Sequence, residues 1–276
     1  MKSKGFKYLY GPVSSWRLGI SLGIDLLSSP GKICNFDCVY CQLGPAASSL
    51  GGLREYVKTT EITKELRLFF GGNGKRQAID YITFSGSGES TLAKNLGQAI
   101  KAVKKLKFAP VAVLTNGALI NRGDIRRNLS FSDFAIVKLD AYSQESLEKI
   151  NCPAGTIRFE NILKGLKKFK KEFKGKFALQ MMFIDDNLGG VDKLVKIAGA
   201  INPDQVQINT PTRLSNVRRL SKNQVFGIKK HFCALNPLCV YDARIKRVAA
   251  FNKSDTHRRR GQEIAHSVER RGNREY

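Results

Sequence analysis

The sequence contains no long hydrophobic run. Nowhere does a stretch of about 18 apolar residues occur, and Lys2 and Lys4 are not followed by an apolar segment of signal-peptide length. We therefore expect neither a membrane span nor an export signal, and we expect a cytoplasmic location, where disulfide bonds are rare. The six cysteines are then expected to be metal ligands, reactive thiols or small buried residues rather than three disulfides.

Acidic residues are also scarce. The chain has 23 Asp and Glu against 47 Lys and Arg, which gives a formal net charge of +24. Such an excess favours polyanionic partners, with nucleic acid first and an anionic membrane surface or an acidic small substrate next. A solvated, generally basic surface is the alternative, because charge alone carries no geometry.

From residue 244 onward the chain loses its apolar periodicity and becomes rich in basic residues. This composition predicts a solvated, partly disordered terminus, and an RNA-contacting arm is the alternative. The basic residues of this tail are Arg244, Arg247, Lys253, Arg258, Arg259, Arg260, Arg270, Arg271 and Arg274.

Short apolar segments alternate with amphipathic helical patterns along most of the chain, which is typical of βαβ units and a parallel sheet. The six predicted main strands are Leu18–Leu26, Tyr81–Phe84, Val111–Leu114, Ala135–Leu139, Phe177–Ile184 and Gln205–Asn209. Six units fit either an open doubly wound sheet or an incomplete barrel.

The polar residues near the carboxyl ends of these strands favour the barrel, because central strands of a doubly wound sheet are apolar on both faces. Thr83 and Ser85 share one face, as do Lys138 and Asp140, and Asn209 ends a strand that alternates in the same way. The sequence therefore predicts an α/β fold, an incomplete (β/α)6 TIM-like barrel with a polar interior. We expect the core in residues 1–215, with a cysteine loop at 31–44, and a C-terminal helix, strand and short basic extension in residues 216–276.

Three cysteines stand close together in the segment CNFDCVYC, at Cys34, Cys38 and Cys41. Thiolates are soft ligands, suited to iron–sulfur clusters, Zn²⁺ and Cu(I). A zinc site usually has a second cysteine pair or histidines at short range, and the next cysteine here is Cys152. A redox dithiol would leave Cys34 without a role. The spacing of Cys34, Cys38 and Cys41 favours an iron–sulfur cluster and does not exclude zinc. The other three cysteines are widely spaced, and we interpret Cys152, Cys233 and Cys239 as core or surface residues.

This segment resembles the signature of the radical S-adenosylmethionine (radical SAM) superfamily, CX3CX2C with an aromatic residue before the third cysteine. The resemblance implies a barrel of the radical SAM type with a [4Fe–4S] cluster on Cys34, Cys38 and Cys41. S-adenosylmethionine would bind the fourth iron, and Tyr40 would lie against its adenine. It also implies reductive cleavage to a 5′-deoxyadenosyl radical, with an electron donor such as flavodoxin or ferredoxin.

The turn after the second predicted strand matches the position of the superfamily's Gly-Gly-Glu motif for the methionine amino group. It comprises Gly86, Ser87, Gly88 and Glu89, with Ser87 at the first glycine position. Glycines permit close backbone approach and Glu89 can pair with an ammonium group, whereas a plain strand-to-helix turn is the alternative.

Further candidates follow the later strands. We assign Asn116 and Asn209 to cofactor binding. Lys138 and Asp140 are the candidates for the catalytic role, and a purely structural pair is the alternative, since buried charges are costly unless paired.

Five longer stretches resemble a subgroup of compact Fe–S oxidoreductases similar to the wyosine-forming, tRNA-modifying radical SAM enzymes. They are GPVSSWRLGISLGID, CNFDCVYCQLG, ITFSGSGESTL, VKLDAY and VQINTPTR. Those enzymes hold a second cluster with upstream cysteines, and no cysteine precedes Cys34 here, so the resemblance indicates the reaction class and not wyosine synthesis itself. The leading hypothesis is an enzyme acting on RNA or tRNA. A peptide or anionic metabolite is the second, and a non-catalytic metal-containing RNA-binding protein is the third.

Overall fold

The structure is a computed structural model that describes residues 5–48, 52–72, 77–242 and 246–261. Its strands, in chain order, are β1 (Leu9–Ser15), β2 (Gly19–Ile24), β3 (Lys32–Ile33), β4 (Ala46–Ser48), β5 (Tyr81–Phe84), β6 (Val111–Thr115), β7 (Phe134–Lys138), β8 (Lys176–Met182), β9 (Gln205–Asn209) and β10 (Pro237–Cys239). Eight of them form one sheet in the order β1-β2-β5-β6-β7-β8-β9-β10, and β3 pairs with β4 separately.

The sheet is parallel from β2 to β10, and only β1 runs antiparallel to its neighbour. The helices that connect the strands are α1 (Thr59–Gly71), α2 (Leu96–Lys105), α3 (Gly123–Leu129), α4 (Gln144–Asn151), α5 (Phe159–Glu172), α6 (Val191–Ile201) and α7 (Lys222–His231), and α8 (Lys253–Arg260) follows the last strand. Alternate strand residues such as Ile82 and Phe84 share one large core with helix residues such as Leu96 and Ile100. The curled sheet is a half-barrel with its helices outside, which confirms the incomplete barrel.

The inner face of the barrel has its own small apolar layer near the amino ends of the strands. Leu18, Ala112, Phe134, Ile136 and Ala178 pack together there, and all are buried. Because Leu18 lies in the β1–β2 turn, this hairpin folds inward and closes the amino end. The polar residues on the same face lie nearer the carboxyl ends, where the chain places its candidate site residues.

Strand β1 was not predicted from the sequence, and the first predicted strand, Leu18–Leu26, is shorter in the structure. Gly11 and Pro12 interrupt the apolar pattern of β1, and the register shifts between Tyr10 and Val13. Proline within a strand is confined to edges and bulges, and β1 is an edge strand with a bulge. Because of this glycine and proline, the sequence pattern did not predict β1, although a strand at the edge of a sheet can contain both residues.

The basic C-terminal segment is also more ordered than its composition predicts. Residues 253–260 form α8, which packs against β1, and Arg259 within it is buried. The side chain of Asn252 accepts a hydrogen bond from the amide of Asp255 and caps the helix. The prediction of a solvated terminus is wrong for this helix, while Arg244 and residues 262–276 lie outside the described residues. The predicted boundary at residue 215 stays a prediction.

Among the helices of the described ranges, none has both the length and the apolar character needed to cross a bilayer.

Candidate active site

The cysteine loop follows β2 at the carboxyl end of the barrel strands. Its backbone is fixed to the end of α4, since the amide of Asp37 donates to the carbonyl of Asn151 at 3.0 Å and that of Val39 donates to Ile150 at 3.0 Å. The amide of Cys41 donates to the carbonyl of Cys38 at 2.8 Å and tightens the turn between these two cysteines. The loop therefore holds its thiols over the barrel by main-chain contacts.

Cys34, Cys38 and Cys41 all line one cavity. Burial raises the pKa of Cys34 to about 12 and that of Cys38 to about 11. Both thiols are therefore protonated at neutral pH until a metal replaces the proton.

Two of the sulfur atoms receive hydrogen bonds from the protein. The amide of Phe36 and Asn116 Nδ2 donate to Cys34 Sγ at 3.4 and 3.6 Å, and Asn151 Nδ2 donates to Cys38 Sγ at 3.3 Å. Donors of this kind stabilise thiolates that bind an iron–sulfur cluster and tune its potential.

The spacing of the thiols bears on the choice between zinc and a cluster. Within the part of the chain that the structure describes, no three Cys, His, Asp or Glu side chains are arranged to hold a single metal ion. In a cubane cluster each cysteine binds a different iron, so the sulfurs stand farther apart than the ligands of one ion. The three thiols line one cavity and two of them accept hydrogen bonds, which agrees with ligands of a cluster.

The glycine-rich turn after β5 is joined directly to the cysteine loop. The amide of Ile33 donates to the carbonyl of Ser87 at 2.9 Å, and the amide of Glu89 donates back to Ile33 at 2.9 Å. A Cβ on Gly88 would lie 1.7 Å from the carbonyl oxygen of Ile33, so no side chain fits there. Gly86, Gly88 and Glu89 line the cavity, whereas Ser87 is buried and turns away from it toward Asp25.

Glu89 is held by a dense set of donors. Its Oε1 accepts from the amide of Thr91 at 2.9 Å and from the hydroxyl of Thr115 at 2.6 Å, and its Oε2 accepts from the amide of Asn116 at 2.6 Å. Asn116 also donates from Nδ2 to Asn35 Oδ1 at 2.8 Å. The carboxylate thus ties the ends of β5 and β6 together, and its pairing with an ammonium group stays a prediction.

Tyr40 and Asp140 form a buried pair beneath the cysteine loop. The Tyr40 hydroxyl donates to Asp140 Oδ2, and Asn151 Nδ2 donates to both side chains at 3.0 Å. The amide of Met182 donates to Asp140 Oδ1 at 2.7 Å. Burial, and after it the negative charge of Asp140, raises the pKa of Tyr40 well above its ordinary value, so the phenol keeps its proton.

Lys138 lines the cavity, and its Nζ lies 3.4 Å from Asp140 Oδ2 and 3.2 Å from Gln180 Oε1. Its ammonium group also lies 4.8 Å from the centre of the Tyr40 ring. The predicted pairing of Lys138 with Asp140 is therefore present, and the structure places Asp140 behind Tyr40 rather than on the cavity that the cysteines line.

Asn209 ends β9 and is buried, but it is not among the residues that line this cavity. Its Oδ1 has no hydrogen-bond partner among the described residues. A buried acceptor without a donor is uncommon in folded proteins.

The other three cysteines do not line the cavity, although the carbonyl of Cys152 accepts a hydrogen bond from the amide of Asp37 in the cysteine loop at 3.1 Å. Cys152 and Cys233 are exposed and Cys239 is buried, and all three are free thiols. Their positions agree with the expectation of surface and core cysteines.

Two charged residues of the site were missed by the sequence analysis. Arg259 donates to Asp25 Oδ2 at 2.7 Å, and both side chains are almost completely buried. Asp25 Oδ2 also accepts from the amide and hydroxyl of Ser87 at 3.1 and 2.8 Å. Arg259 therefore reaches from α8 to the residue that orients the glycine-rich turn. The Asn252 cap was the sequence signal for this helix.

The cavity has a volume of about 260 Å³. This volume is slightly below about 300 Å³, the lower limit of the range that is common for ligand pockets. Within the described residues, a single carboxylate, that of Glu89, lines it together with five basic side chains. These are Arg17, Lys32, Lys138, Arg259 and Arg260. Three of these cations are paired with carboxylates behind the lining, Lys32 with Asp37, Lys138 with Asp140 and Arg259 with Asp25.

A half-barrel with three thiols and a glycine-rich turn at the carboxyl ends of its strands defines a class of enzyme. The model of the radical SAM superfamily matches residues 28–198, and the chain belongs to this superfamily. It is an enzyme of the radical SAM type, and the cofactors of this family are a [4Fe–4S] cluster and S-adenosylmethionine.

Two UPF0026 proteins are similar to this chain over most of its length. A UPF0026 protein of Synechocystis sp. is 40% identical over 215 residues, which cover 78% of this chain and 79% of that protein. A UPF0026 protein of Methanocaldococcus jannaschii is 31% identical over 232 residues, covering 83% of this chain and 71% of the relative.

Solved structures share the fold. TYW1 with a lysine–pyruvate adduct bound has a TM-score of 0.59 at 17% identity, over 78% of this chain and 74% of that one. Streptococcus suis SuiB bound to S-adenosylmethionine has a TM-score of 0.58 at 14% identity, over 76% and 48%. The resemblance to radical SAM enzymes, including the wyosine-forming type, is confirmed.

Proposed function

We propose that Cys34, Cys38 and Cys41 hold the [4Fe–4S] cluster and that the enzyme abstracts hydrogen from RNA. When bound and reduced, the cluster supplies the electron that cleaves S-adenosylmethionine to the 5′-deoxyadenosyl radical. The observation that supports the cluster assignment is the convergence of three thiols and one glycine-rich turn on a single cavity. A cytoplasmic flavodoxin or ferredoxin is the electron donor that we propose.

The protein's own groups position the cofactor. The turn from Gly86 to Glu89 is fixed to the cysteine loop, and Gly88 lets the backbone approach without a side chain. We assign Tyr40, whose ring lines the cavity, to the adenine of S-adenosylmethionine. Asn116 lines the cavity and is the polar group assigned to the rest of the cofactor, whereas Asn209 lies outside this lining and has no contact assigned to it.

Lys138 and Asp140 have different roles in this proposal. Asp140 is a positioning residue, because it accepts hydrogen bonds from Tyr40 and from the amide of Met182 and is fully enclosed. Lys138 presents its ammonium group to the cavity wall, where it offers a cation to the substrate. Replacing Asp140 should therefore change the activity indirectly, by altering the orientation of Tyr40 and Lys138.

The charge distribution supports RNA as the substrate. A net charge of +24 attracts the phosphate backbone, and basic side chains outnumber the one carboxylate around the cavity. A small anionic metabolite is the second candidate, and the observation that favours it is a cationic side chain, Arg17, that lines the cavity from the β1–β2 turn.

We expect tRNA to bind the reconstituted enzyme and to increase the formation of 5′-deoxyadenosine from S-adenosylmethionine. The tRNA would be isolated from cells that lack this protein, and single-stranded DNA of equal length would serve as the control for charge. Binding of both polyanions should weaken steeply with salt, because phosphate contacts release counterions. Stimulation by tRNA alone supports the RNA substrate. Equal 5′-deoxyadenosine formation with tRNA, with DNA and without either would exclude it.

A further inference from the structure

The β1–β2 turn places a cation inside the barrel. Leu18 in this turn packs against Ala112, Phe134 and Ile136 on the inner face of the sheet, and it is 4% exposed. The preceding residue, Arg17, lines the same cavity as the three cysteines. The hairpin that closes the amino end of the barrel thus directs a guanidinium group into the interior.

This guanidinium group lacks a compensating charge among the described residues. Its Nε is buried and has no hydrogen-bond partner there, and its centre lies 5.3 Å from the ring of Trp16. Burial, reinforced by the positive charge of Arg260, lowers the pKa of Arg17 to about 10. The hydroxyl of Tyr10 is the nearby group that opposes this shift.

Arg17 is half-buried, and its enclosed Nε is costly to leave without an acceptor. Arginine offers two parallel donors that match the oxygens of a carboxylate or phosphate group. The surroundings of Arg17 therefore fit an oxyanion that enters with a ligand.

The β1–β2 turn and the cysteine loop approach this cavity from different ends of β2. Arg17 precedes β2 and the cysteine loop follows it, so the two lie at opposite ends of a strand whose six residues span about 20 Å. The main chain of Arg17 and the cysteine loop are thus separated by the length of β2, whereas the Arg17 side chain enters the cavity that the cysteines line.

We propose that Arg17 binds an oxyanion of the substrate, a carboxylate or a phosphate, in the cavity that the three cysteines line. The substrate is thereby anchored by a residue of the β1–β2 turn, in the cavity where the cofactor would also bind. This assignment rests on the proposed function, because it takes the cavity to be the place where cofactor and substrate meet.

Selenate soaked into crystals of the wild-type protein tests the site directly, because selenium is located by its anomalous scattering. The proposal expects a peak within hydrogen-bond distance of the Arg17 guanidinium group. Selenate bound elsewhere but not at Arg17 would overturn the proposal. This experiment uses the wild-type protein alone.

Calorimetric titration with inorganic phosphate and with acetate tests the same site in solution. Arg17→Gln should weaken binding of the preferred anion by about ten- to hundredfold, as expected for loss of charge-assisted hydrogen bonds. Arg158→Gln removes the same charge from an exposed position and should leave the affinity unchanged. Equal affinities in wild type and Arg17→Gln would overturn the proposal.

The two titrants distinguish the source of the oxyanion. Preference for phosphate indicates a nucleotide or RNA, and preference for acetate indicates a carboxylate-bearing metabolite or peptide. Neither titration requires reduction or S-adenosylmethionine. Wild-type enzyme that forms 5′-deoxyadenosine but binds neither anion would overturn the Arg17 site alone, and enzyme that binds an anion at Arg17 but forms no product would overturn the proposed function alone.

Discussion

The Cys38→Ala protein should fold but lose its iron–sulfur cluster after anaerobic reconstitution. The cysteine loop supplies three thiols to a cluster of four irons, so removing one leaves two ligands and a site that cannot hold the cubane. The Cys38 sulfur is also the atom to which Asn151 Nδ2 donates at 3.3 Å, so that donor loses its acceptor at the same time. We expect the iron and sulfide content to fall from four of each per chain to near zero.

The matched control is Cys233→Ala, because Cys233 is an exposed free thiol on another part of the chain. This variant should keep the full content of iron and sulfide and the same absorbance of the cluster. Iron and acid-labile sulfide assays on both proteins give the comparison. A Cys38→Ala protein with the same iron and sulfide as Cys233→Ala would contradict the assignment of the three ligands.

Arg259→Met should destabilise the protein by about 3–5 kcal/mol, the range measured when one partner of a buried ion pair is removed. Arg259 and Asp25 are almost completely buried, and the variant leaves the Asp25 carboxylate enclosed without its cation. The carbonyl of Lys7 also loses a donor at 2.6 Å. Because Asp25 orients Ser87, the effect should reach the glycine-rich turn.

The control is Arg258→Met, at the neighbouring position of α8, where the side chain is 41% exposed and pairs with Asp255. Exposed pairs contribute at most about 1 kcal/mol, so this variant should unfold close to the wild type. Urea unfolding of the three proteins measures the difference through the midpoint and slope. Equal midpoints for Arg259→Met and Arg258→Met would show that the buried pair does not hold the C-terminal helix.

The sequence predicted the features of this protein that depend on local pattern. Strands such as Tyr81–Phe84 and Gln205–Asn209 have the predicted bounds, because short apolar segments between helices are recognisable by themselves. The cysteine segment was recognisable because three soft ligands occur within eight residues. Both kinds of signal lie within a short window of the chain.

The features that were missed depend on contacts between distant segments. Arg259 and Asp25 are 234 residues apart, and no local pattern distinguishes a buried arginine in a basic tail from an exposed one. Arg17 lies in a turn, and its inward direction follows from the packing of Leu18 across the sheet. The tertiary fold determined the burial of these side chains, and although the Asn252 cap signals the helix that carries Arg259, no local pattern signals which of its side chains is buried.

The formation of 5′-deoxyadenosine is the measurement that tests the proposed chemistry most directly. Anaerobically reconstituted wild-type protein and the Cys38→Ala variant would each be incubated with S-adenosylmethionine and dithionite, and the product would be quantified by chromatography. The predicted result is 5′-deoxyadenosine from the wild type and none from Cys38→Ala. Equal amounts from the two proteins, or no product from wild-type protein that holds a complete cluster, would contradict it.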